Sequence, residues 1–157
     1  MNTKEKLFLA FLGSGLLPKA PGTWGSLAGL LVGMAILAYF PIETLFLSTV
    51  LITLFGVKAI DAYEARTGRH DDSRIVIDEV AGIWLALCLS TAQPLAALSS
   101  FLFFRLYDIT KPSIVGRIDR DVSGGWGVMG DDLVAGVLAG LSSALLMLVL
   151  SYLGVKV

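Results

Sequence analysis

Residues 133–155 read LVAGVLAGLSSALLMLVLSYLGV, a run of 23 residues without a charged side chain. A bilayer core needs roughly 20 apolar residues of helix, so this run predicts a membrane-spanning helix. The composition agrees: 55% of the 157 residues are hydrophobic, only 16% are charged, and the mean hydropathy is +0.79. A typical soluble domain has about 25% charged residues. We therefore predict an all-α integral membrane bundle that forms a single domain over residues 1–157.

Four further apolar stretches are shorter and need their flanking residues to cross a bilayer. Spans of about 15 to 18 residues require tilt or local thinning of the bilayer. Buried helices of a soluble all-α domain have similar lengths, so that alternative stays open. Pro41 and Pro94 lie in the two tightest links, where helices are expected to end. The prediction is about five short spans, at residues 25–42, 44–60, 75–92, 95–109 and 133–155.

Basic residues are distributed unevenly over the predicted links. Five spans place eleven of the twelve lysines and arginines on one side, and the alternate links, residues 41–43 and 91–94, contain none. Because basic residues mark the cytoplasmic side, the polar loops are predicted to gather on that face. The net charge of −1 gives no reason to expect nucleic acid as a partner. No obligate protein partner is inferred.

Acids occur in three pairs at the ends of apolar stretches. Carboxylates are costly near hydrocarbon, and a hard cation such as Mg²⁺ takes oxygen ligands and commonly brings a phosphate with it. The alternative is helix capping and compensation of the helix dipole, with a glycine-rich loop at residues 124–130 leading into Asp131 as an N-cap. The pairs are Asp71-Asp72, Asp78-Glu79 and Asp131-Asp132, and we predict Asp78, Glu79, Asp131 and Asp132 as the metal ligands.

Two cations lie near the C-terminal end of the fourth predicted span, in residues 104–112, FRLYDITKP. Arg105 and Lys111 each lie three residues from Asp108, and a guanidinium oriented by an acid can bind phosphate oxygens bidentately. Snorkelling toward the headgroups is the structural alternative for both cations. A second anion-binding segment is residues 18–26, PKAPGTWGS, where hydroxyls and N–H groups precede a helix, although Thr23 or Ser26 as a helix cap is the simpler interpretation. The predicted substrate-binding residues are Lys19, Thr23, Trp24, Ser26, Arg105 and Lys111.

These residues predict metal-assisted hydrolysis of a phosphate ester. A metal lowers the pKa of a bound water, while a spare carboxylate, Asp72 or Asp71, accepts its proton. His70 is a possible general acid, although an exposed loop histidine is equally expected there. Arg105 and Lys111 would stabilise charge on the phosphoryl oxygens. An aspartyl-phosphate intermediate stays open, because sequence does not separate a ligand from a nucleophile.

Several motifs together resemble the phosphatidylglycerophosphatase A family of bacterial membrane enzymes. They occur in family order over about residues 13–136. Tyr107 and Thr110 depart mildly from the family pattern, and residues 113–121 are less typical, so Asp119 inherits no role. The motifs are PGTWGS at 21–26, HDD at 70–72, DE at 78–79, FRLYDITKP at 104–112, GG at 124–125 and MGDD at 129–132.

The resemblance implies a Mg²⁺-dependent phosphomonoesterase of phospholipid biosynthesis. Its substrate would be the anionic phospholipid phosphatidylglycerophosphate, and its products phosphatidylglycerol and inorganic phosphate. The protein would be a multi-pass protein of the bacterial cytoplasmic (inner) membrane, with its active site facing the cytoplasm. Two alternatives remain: another lipid-phosphate hydrolase or phosphotransferase, and a cation transporter whose acids line a pathway. The acids here gather at the ends of spans, which favours a surface-facing catalytic site.

Overall fold

The computed structural model describes residues 1–70, 72–91 and 93–155. Within these ranges the chain forms seven α-helices and one 3₁₀ turn, Ser14–Leu16, and no strand occurs there, which confirms the predicted all-α class. The helices are α1 (Thr3–Phe8), α2 (Pro21–Tyr39), α3 (Ile42–Thr67), α4 (Ile77–Leu89), α5 (Pro94–Thr110), α6 (Ile114–Asp121) and α7 (Gly124–Tyr152).

Three helices, α2, α3 and α7, are long and apolar enough to cross a membrane by length and composition. The predicted spans at residues 75–92 and 95–109 correspond to α4 and α5, which have 13 and 17 residues. The described residues thus support membrane association with three candidate spans, whereas about five were predicted. Apolar side chains such as Leu47, Phe55, Leu102 and Leu148 are more than half exposed on the outside of the bundle.

Helix α4 is short and is the central helix of the bundle, where it packs against α2, α3, α5 and α7. Nine of its 13 residues are buried. A helix that is enclosed by protein on all sides is apolar all round and need not match the thickness of a bilayer. Trp84 fixes one contact, because its indole N–H donates a 2.8 Å hydrogen bond to the carbonyl oxygen of Gly29 on α2.

A close backbone contact joins α4 to α7 through glycines. A Cβ atom on Gly136 would collide with the carbonyl oxygen of Gly82, and a Cβ on Gly140 would lie 2.7 Å from that of Ala86. Small residues at such a contact let two helix backbones approach each other directly. Asp78 and Asp132 each lie four residues before one of these glycines, one helical turn away, so the contact carries both acids to the same level.

The predicted glycine-rich loop before Asp131 is helical instead. Helix α7 begins at Gly124, so Asp131 lies in its second turn and the N-cap prediction is wrong. The glycines permit close packing: a Cβ on Gly125 would collide with the carbonyl oxygen of Val57, and one on Gly127 with that of Val122. A larger residue at position 125 would push α7 away from α3, so glycine allows the two helices to pack closely there.

The prediction that Thr23 or Ser26 caps α2 is also wrong. The helix begins at Pro21, a residue whose missing N–H and fixed φ suit a first helical position. Ala20, in the left-handed region at φ 50°, is the N-cap and supplies no side-chain hydrogen bond. The hydroxyl of Ser26 instead donates a 2.7 Å bond to the carbonyl oxygen of Gly22 inside the helix.

Alternation of helix direction brings five helix ends together at one end of the bundle. Helices α2, α4 and α7 begin at this end, and α3 and α5 end there. Residues at or beside all five of these helix ends line a single cavity. The predicted gathering of polar segments is thus present within the described residues. The side of the membrane that this end faces remains a prediction.

Candidate active site

The cavity at this end of the bundle has a volume of about 490 Å³. Polar and charged side chains dominate its lining, although the helices that form it are mostly apolar. Six carboxylates and two permanently charged cations line it among the described residues. They are Asp78, Glu79, Asp108, Asp119, Asp131, Asp132, Arg105 and Lys111.

Three of the four predicted metal ligands form one group. Asp78, Glu79 and Asp132 each offer a carboxylate oxygen, and these oxygens all lie within 4.8 Å of one another. Asp78 is 8% exposed and Asp132 is 3% exposed, so water screens them little. The Gly82–Gly136 contact described above fixes this arrangement, since it sets the register of α4 against α7.

The donor set of this group fits a hard divalent cation. Oδ1 of Asp132 and Oε2 of Glu79 are buried and have no hydrogen-bond partner among the described residues. An ionised carboxylate can only accept hydrogen bonds, and a buried unpaired charge is strongly unfavourable. Carboxylate oxygens are the ligands that Mg²⁺ prefers, so a metal would satisfy the atoms that the protein leaves without partners.

The fourth predicted ligand, Asp131, lies outside the three-carboxylate group. Its Oδ2 accepts a 2.5 Å hydrogen bond from Nζ of Lys111, and its Oδ1 accepts one of 3.0 Å from the backbone N–H of Asp132. Lys111 also forms an ion pair with Asp119 of α6. Burial lowers the pKa of Lys111, but the hydrogen bonds that its ammonium group donates to these two carboxylates outweigh burial and raise the pKa above its ordinary value. Lys111 is therefore a fixed cation on the cavity wall.

Arg105 lies in the cavity lining, close to Glu79 of the three-carboxylate group. Its guanidinium donates to Asp108 one turn along α5 and, at 3.2 Å, to the hydroxyl of Ser26 on α2. Its side chain is only 15% exposed, and its Nε has no partner among the described residues. Gly22 packs so closely that a Cβ there would collide with Oε1 of Glu79 and lie 3.3 Å from Arg105. The first turn of α2 thus touches both an acid and a cation of the site.

The segment predicted to bind substrate around residues 18–26 lies beside the cavity with a different part facing it. Lys19 and Trp24 are exposed and Thr23 is half-buried, but these three residues do not line the cavity. The backbone of the segment does, through residues 20–22. Ser26 reaches the site indirectly, as the acceptor of the Arg105 hydrogen bond. The predicted roles of Lys19, Thr23 and Trp24 stay predictions.

Asp72, predicted as a proton acceptor, is held in a separate polar network outside the cavity lining. Its carboxylate accepts hydrogen bonds from Arg74 at 2.5 and 2.8 Å and from the hydroxyl of Tyr63 at 2.7 Å. The bonds from Arg74 hold the pKa of Asp72 well below its usual range. A carboxylate with so low a proton affinity is a weak general base. Asp71 lies outside the described residues.

His70 lines the mouth of the cavity, on the loop between α3 and α4. Its side chain is 60% exposed, and its Nδ1 lies 2.7 Å from Oε1 of Glu64. The carboxylate of Glu64 orients the ring through Nδ1, so that Nε2 is the nitrogen left to exchange a proton with a bound group. The structure therefore places His70 within the candidate site.

Further residues line the cavity that the sequence did not single out as site residues. Gly22 is part of the PGTWGS motif, but only the packing shows why it has no side chain. Asp108 carries a sequence signal, because it lies three residues from both Arg105 and Lys111. Asp119 carries none, since it reaches the cavity only through the turn between α5 and α6.

A cavity with buried acids and two cations, at one end of an apolar helical bundle, indicates an enzyme that acts on an anionic ester at a membrane. Comparison with known proteins identifies the family. A family model described as phosphatidylglycerophosphatase A matches residues 7–147, and the chain belongs to that family. It is accordingly a phosphoric monoester hydrolase.

Curated relatives agree with this assignment. Proteins named phosphatidylglycerophosphatase A from Haemophilus influenzae and Escherichia coli are each 36% identical over 140 residues, which is 88% of this chain and 85% and 81% of the relatives. A Bacteroides thetaiotaomicron protein, provisionally named a phosphatidylinositol-3-phosphatase, is 36% identical over 132 residues, 80% of this chain and 82% of its own. No solved structure matches the chain significantly.

Proposed function

We propose that this protein is a Mg²⁺-dependent phosphatase that hydrolyses the terminal phosphomonoester of phosphatidylglycerophosphate, giving phosphatidylglycerol and inorganic phosphate in phospholipid biosynthesis. The observation that carries the proposal is the three-carboxylate group of Asp78, Glu79 and Asp132 in one cavity with Arg105 and Lys111. Two of the relatives are named for this activity. The proposed location is the bacterial cytoplasmic membrane, with the cavity on the cytoplasmic side and α4 and α5 completing a five-helix membrane core.

Asp78, Glu79 and Asp132 would hold the metal, because their carboxylate oxygens converge and those of Glu79 and Asp132 include buried atoms without a partner among the described residues. When bound, Mg²⁺ neutralises phosphate charge and favours ionisation of a water molecule. Asp131, which was also predicted as a ligand, is proposed here to hold Lys111 in place. In this assignment the three-carboxylate group binds Mg²⁺, and Asp131 is reserved for Lys111.

Arg105 and Lys111 would bind the phosphoryl oxygens of the substrate. Arg105 is already oriented by Asp108 and Ser26, so little rotational freedom is lost when it binds an anion. Fixed cations in a partly buried site stabilise the charge that develops on the phosphoryl group more effectively than mobile ones in water. The backbone N–H groups of Ala20 and Gly22, on either side of Pro21 at the start of α2, would donate to the same oxygens.

His70 is the proposed proton donor to the leaving oxygen. In hydrolysis the bond between phosphorus and the glycerol oxygen breaks, the water oxygen bonds to phosphorus, and the departing alkoxide takes a proton. A histidine ring can pass a proton to a leaving oxygen, and Glu64 holds this ring at the cavity mouth. We assign this step to His70 in preference to Asp72, whose carboxylate is bound by Arg74 and Tyr63. A role for Asp71 stays a prediction.

The test is release of inorganic phosphate from phosphatidylglycerophosphate in detergent micelles, with Mg²⁺ and with EDTA. We expect Mg²⁺-dependent release by the wild type, and a loss of at least about 100-fold in Asp78→Asn and Asp132→Asn. Asp121→Asn is the matched control, because Asp121 is exposed and does not line the cavity. No release from the wild type with any divalent ion would refute the proposal. Phosphatidylinositol 3-phosphate is the competing substrate, and faster hydrolysis of it would assign that specificity instead.

A further inference from the structure

Lys111 is shared between two carboxylates that differ in their surroundings. Asp131 lies on α7, is 7% exposed in its side chain, and receives a second hydrogen bond from the backbone N–H of Asp132. Asp119 lies on α6 and is 39% exposed in its side chain. An ion pair that water can reach contributes little, because solvation replaces it at small cost. Of the two partners, Asp119 is the one that Lys111 can release.

The backbone of Lys111 is fixed even where its ammonium group is not. Lys111 ends α5 in the left-handed region at φ 43°, and Gly116 of α6 packs against its carbonyl oxygen, 2.6 Å from where a Cβ would stand. The side chain therefore pivots from a fixed point beside Asp131. A change of partner at Nζ needs only rotations of the side chain and no movement of the helices.

The charge balance of the cavity favours such a change when an anion enters. Carboxylates outnumber permanent cations six to two among the described lining residues, and Lys111 contacts two of the six. An ammonium group has three N–H donors, and two of them are taken here. A phosphate at Lys111 would face the negative charge of Asp119 directly unless that carboxylate turned away into water.

We infer that Asp119 is a displaceable counter-ion, whose carboxylate occupies at Lys111 the position that a phosphoryl oxygen takes when substrate binds. The inference rests on the proposed function, in which Lys111 binds phosphate. Asp119 is thus a positioning residue: it keeps the lysine extended into the cavity before substrate arrives. It also competes with the phosphate product, so it favours release of that product.

The test measures binding of inorganic phosphate by calorimetry, on the full chain in detergent micelles with Mg²⁺. We expect Asp119→Asn to bind phosphate about threefold more tightly than the wild type, the size typical of one partly exposed charge pair. Asp121→Asn, which removes the same charge from the same helix outside the cavity, should bind as the wild type does. Unchanged or weaker binding in Asp119→Asn would overturn the inference.

A double-mutant cycle separates a local exchange of partners from a general effect of charge. In a Lys111→Met background, Asp119→Asn should give no further gain in phosphate affinity, because the shared ammonium group is gone. A gain that persists there would mean that Asp119 acts only through its field, and the inference would fail. Since these readouts need no turnover, they remain informative if phosphatidylglycerophosphate is not the substrate. In hydrolysis, Asp119→Asn should lower KM and should not raise kcat.

Discussion

Replacing Asp132 with asparagine tests whether the three-carboxylate group lowers the stability of the metal-free protein while it supports phosphatase activity. Two unit charges 4.8 Å apart at an effective dielectric constant of 20 repel by about 3.5 kcal/mol, and Asp132 faces two acids at or within that distance. Arg105, water at the cavity mouth and the sharing of protons among the three acids relieve most of this repulsion. We therefore expect Asp132→Asn to be more stable than the wild type without metal, by about 1 to 2 kcal/mol.

The measurement is the apparent midpoint of thermal unfolding in detergent micelles, at one scan rate, with EDTA and with Mg²⁺. For a chain of this size, 1 to 2 kcal/mol corresponds to about 3 to 6 °C. In EDTA the variant should unfold at the higher temperature, whereas added Mg²⁺ should raise the midpoint of the wild type only. Phosphatase activity should be lost in the variant. The order of stability and the order of activity are thus expected to be opposite.

Two results would refute this reasoning. A variant that unfolds below the wild type in EDTA would mean that the carboxyl group of Asp132 makes a favourable contact in the metal-free protein. A wild-type midpoint that does not respond to Mg²⁺ or to any other divalent ion would mean that the group does not bind a metal. Asp121→Asn serves as the control, since it removes one exposed acid from outside the cavity and should change neither midpoint.

Three further predictions concern other parts of the site. Gly22→Ala should lower activity by about 10- to 100-fold while the protein stays folded, because the new methyl group displaces Glu79, and Mg²⁺ titration of phosphate release should show weaker metal affinity. Asp72→Asn should destabilise the protein by about 2 kcal/mol at pH 7, because it leaves Arg74 without its charged partner. The pKa of Asp72 is lower in the folded protein than in the unfolded chain. The stabilisation that its ionised carboxylate gives is therefore complete above the unfolded pKa and is lost as the pH falls toward the folded pKa. In urea unfolding, the difference in free energy of unfolding between wild type and variant should shrink below about pH 4. His70→Gln should lower kcat for the lipid substrate by about 100-fold but much less for a substrate with an aryl leaving group, which needs no proton, and equal losses on both would refute the general-acid role.

The helical class of the protein and the acids of its site follow from the sequence for a simple reason. Apolar runs need helices to satisfy their backbone hydrogen bonds in a bilayer, and acids beside such runs require a partner. The three-carboxylate group therefore contains residues that were predicted as ligands, Asp78, Glu79 and Asp132. The family resemblance was confirmed independently by the family model and the curated relatives.

The predicted details that failed depend on packing between distant segments. Residues 124–130 suggested a loop because glycine is unfavourable in an isolated helix. Yet α7 needs glycines there to approach Val57 of α3 and Val122, the residue that follows α6. The separate place of Asp131 was equally hidden, because only the fold brings Lys111 to it from 20 positions away. Local sequence carries the propensity of a segment and the chemistry of a residue, while the choice among possible partners belongs to the tertiary structure.

The glycine contact between α4 and α7 has a consequence for the synthesis of the protein. The three-carboxylate group joins acids from α4 to Asp132 of α7, the last helix in the described chain. A nascent chain that ends before Asp132 lacks one of the three acids, and one that has not yet docked α7 leaves the other two apart from it. Completion of the site and completion of the bundle are therefore the same event. If Asp78, Glu79 and Asp132 hold the metal as proposed, a partly inserted chain is expected to be inactive until α7 has docked.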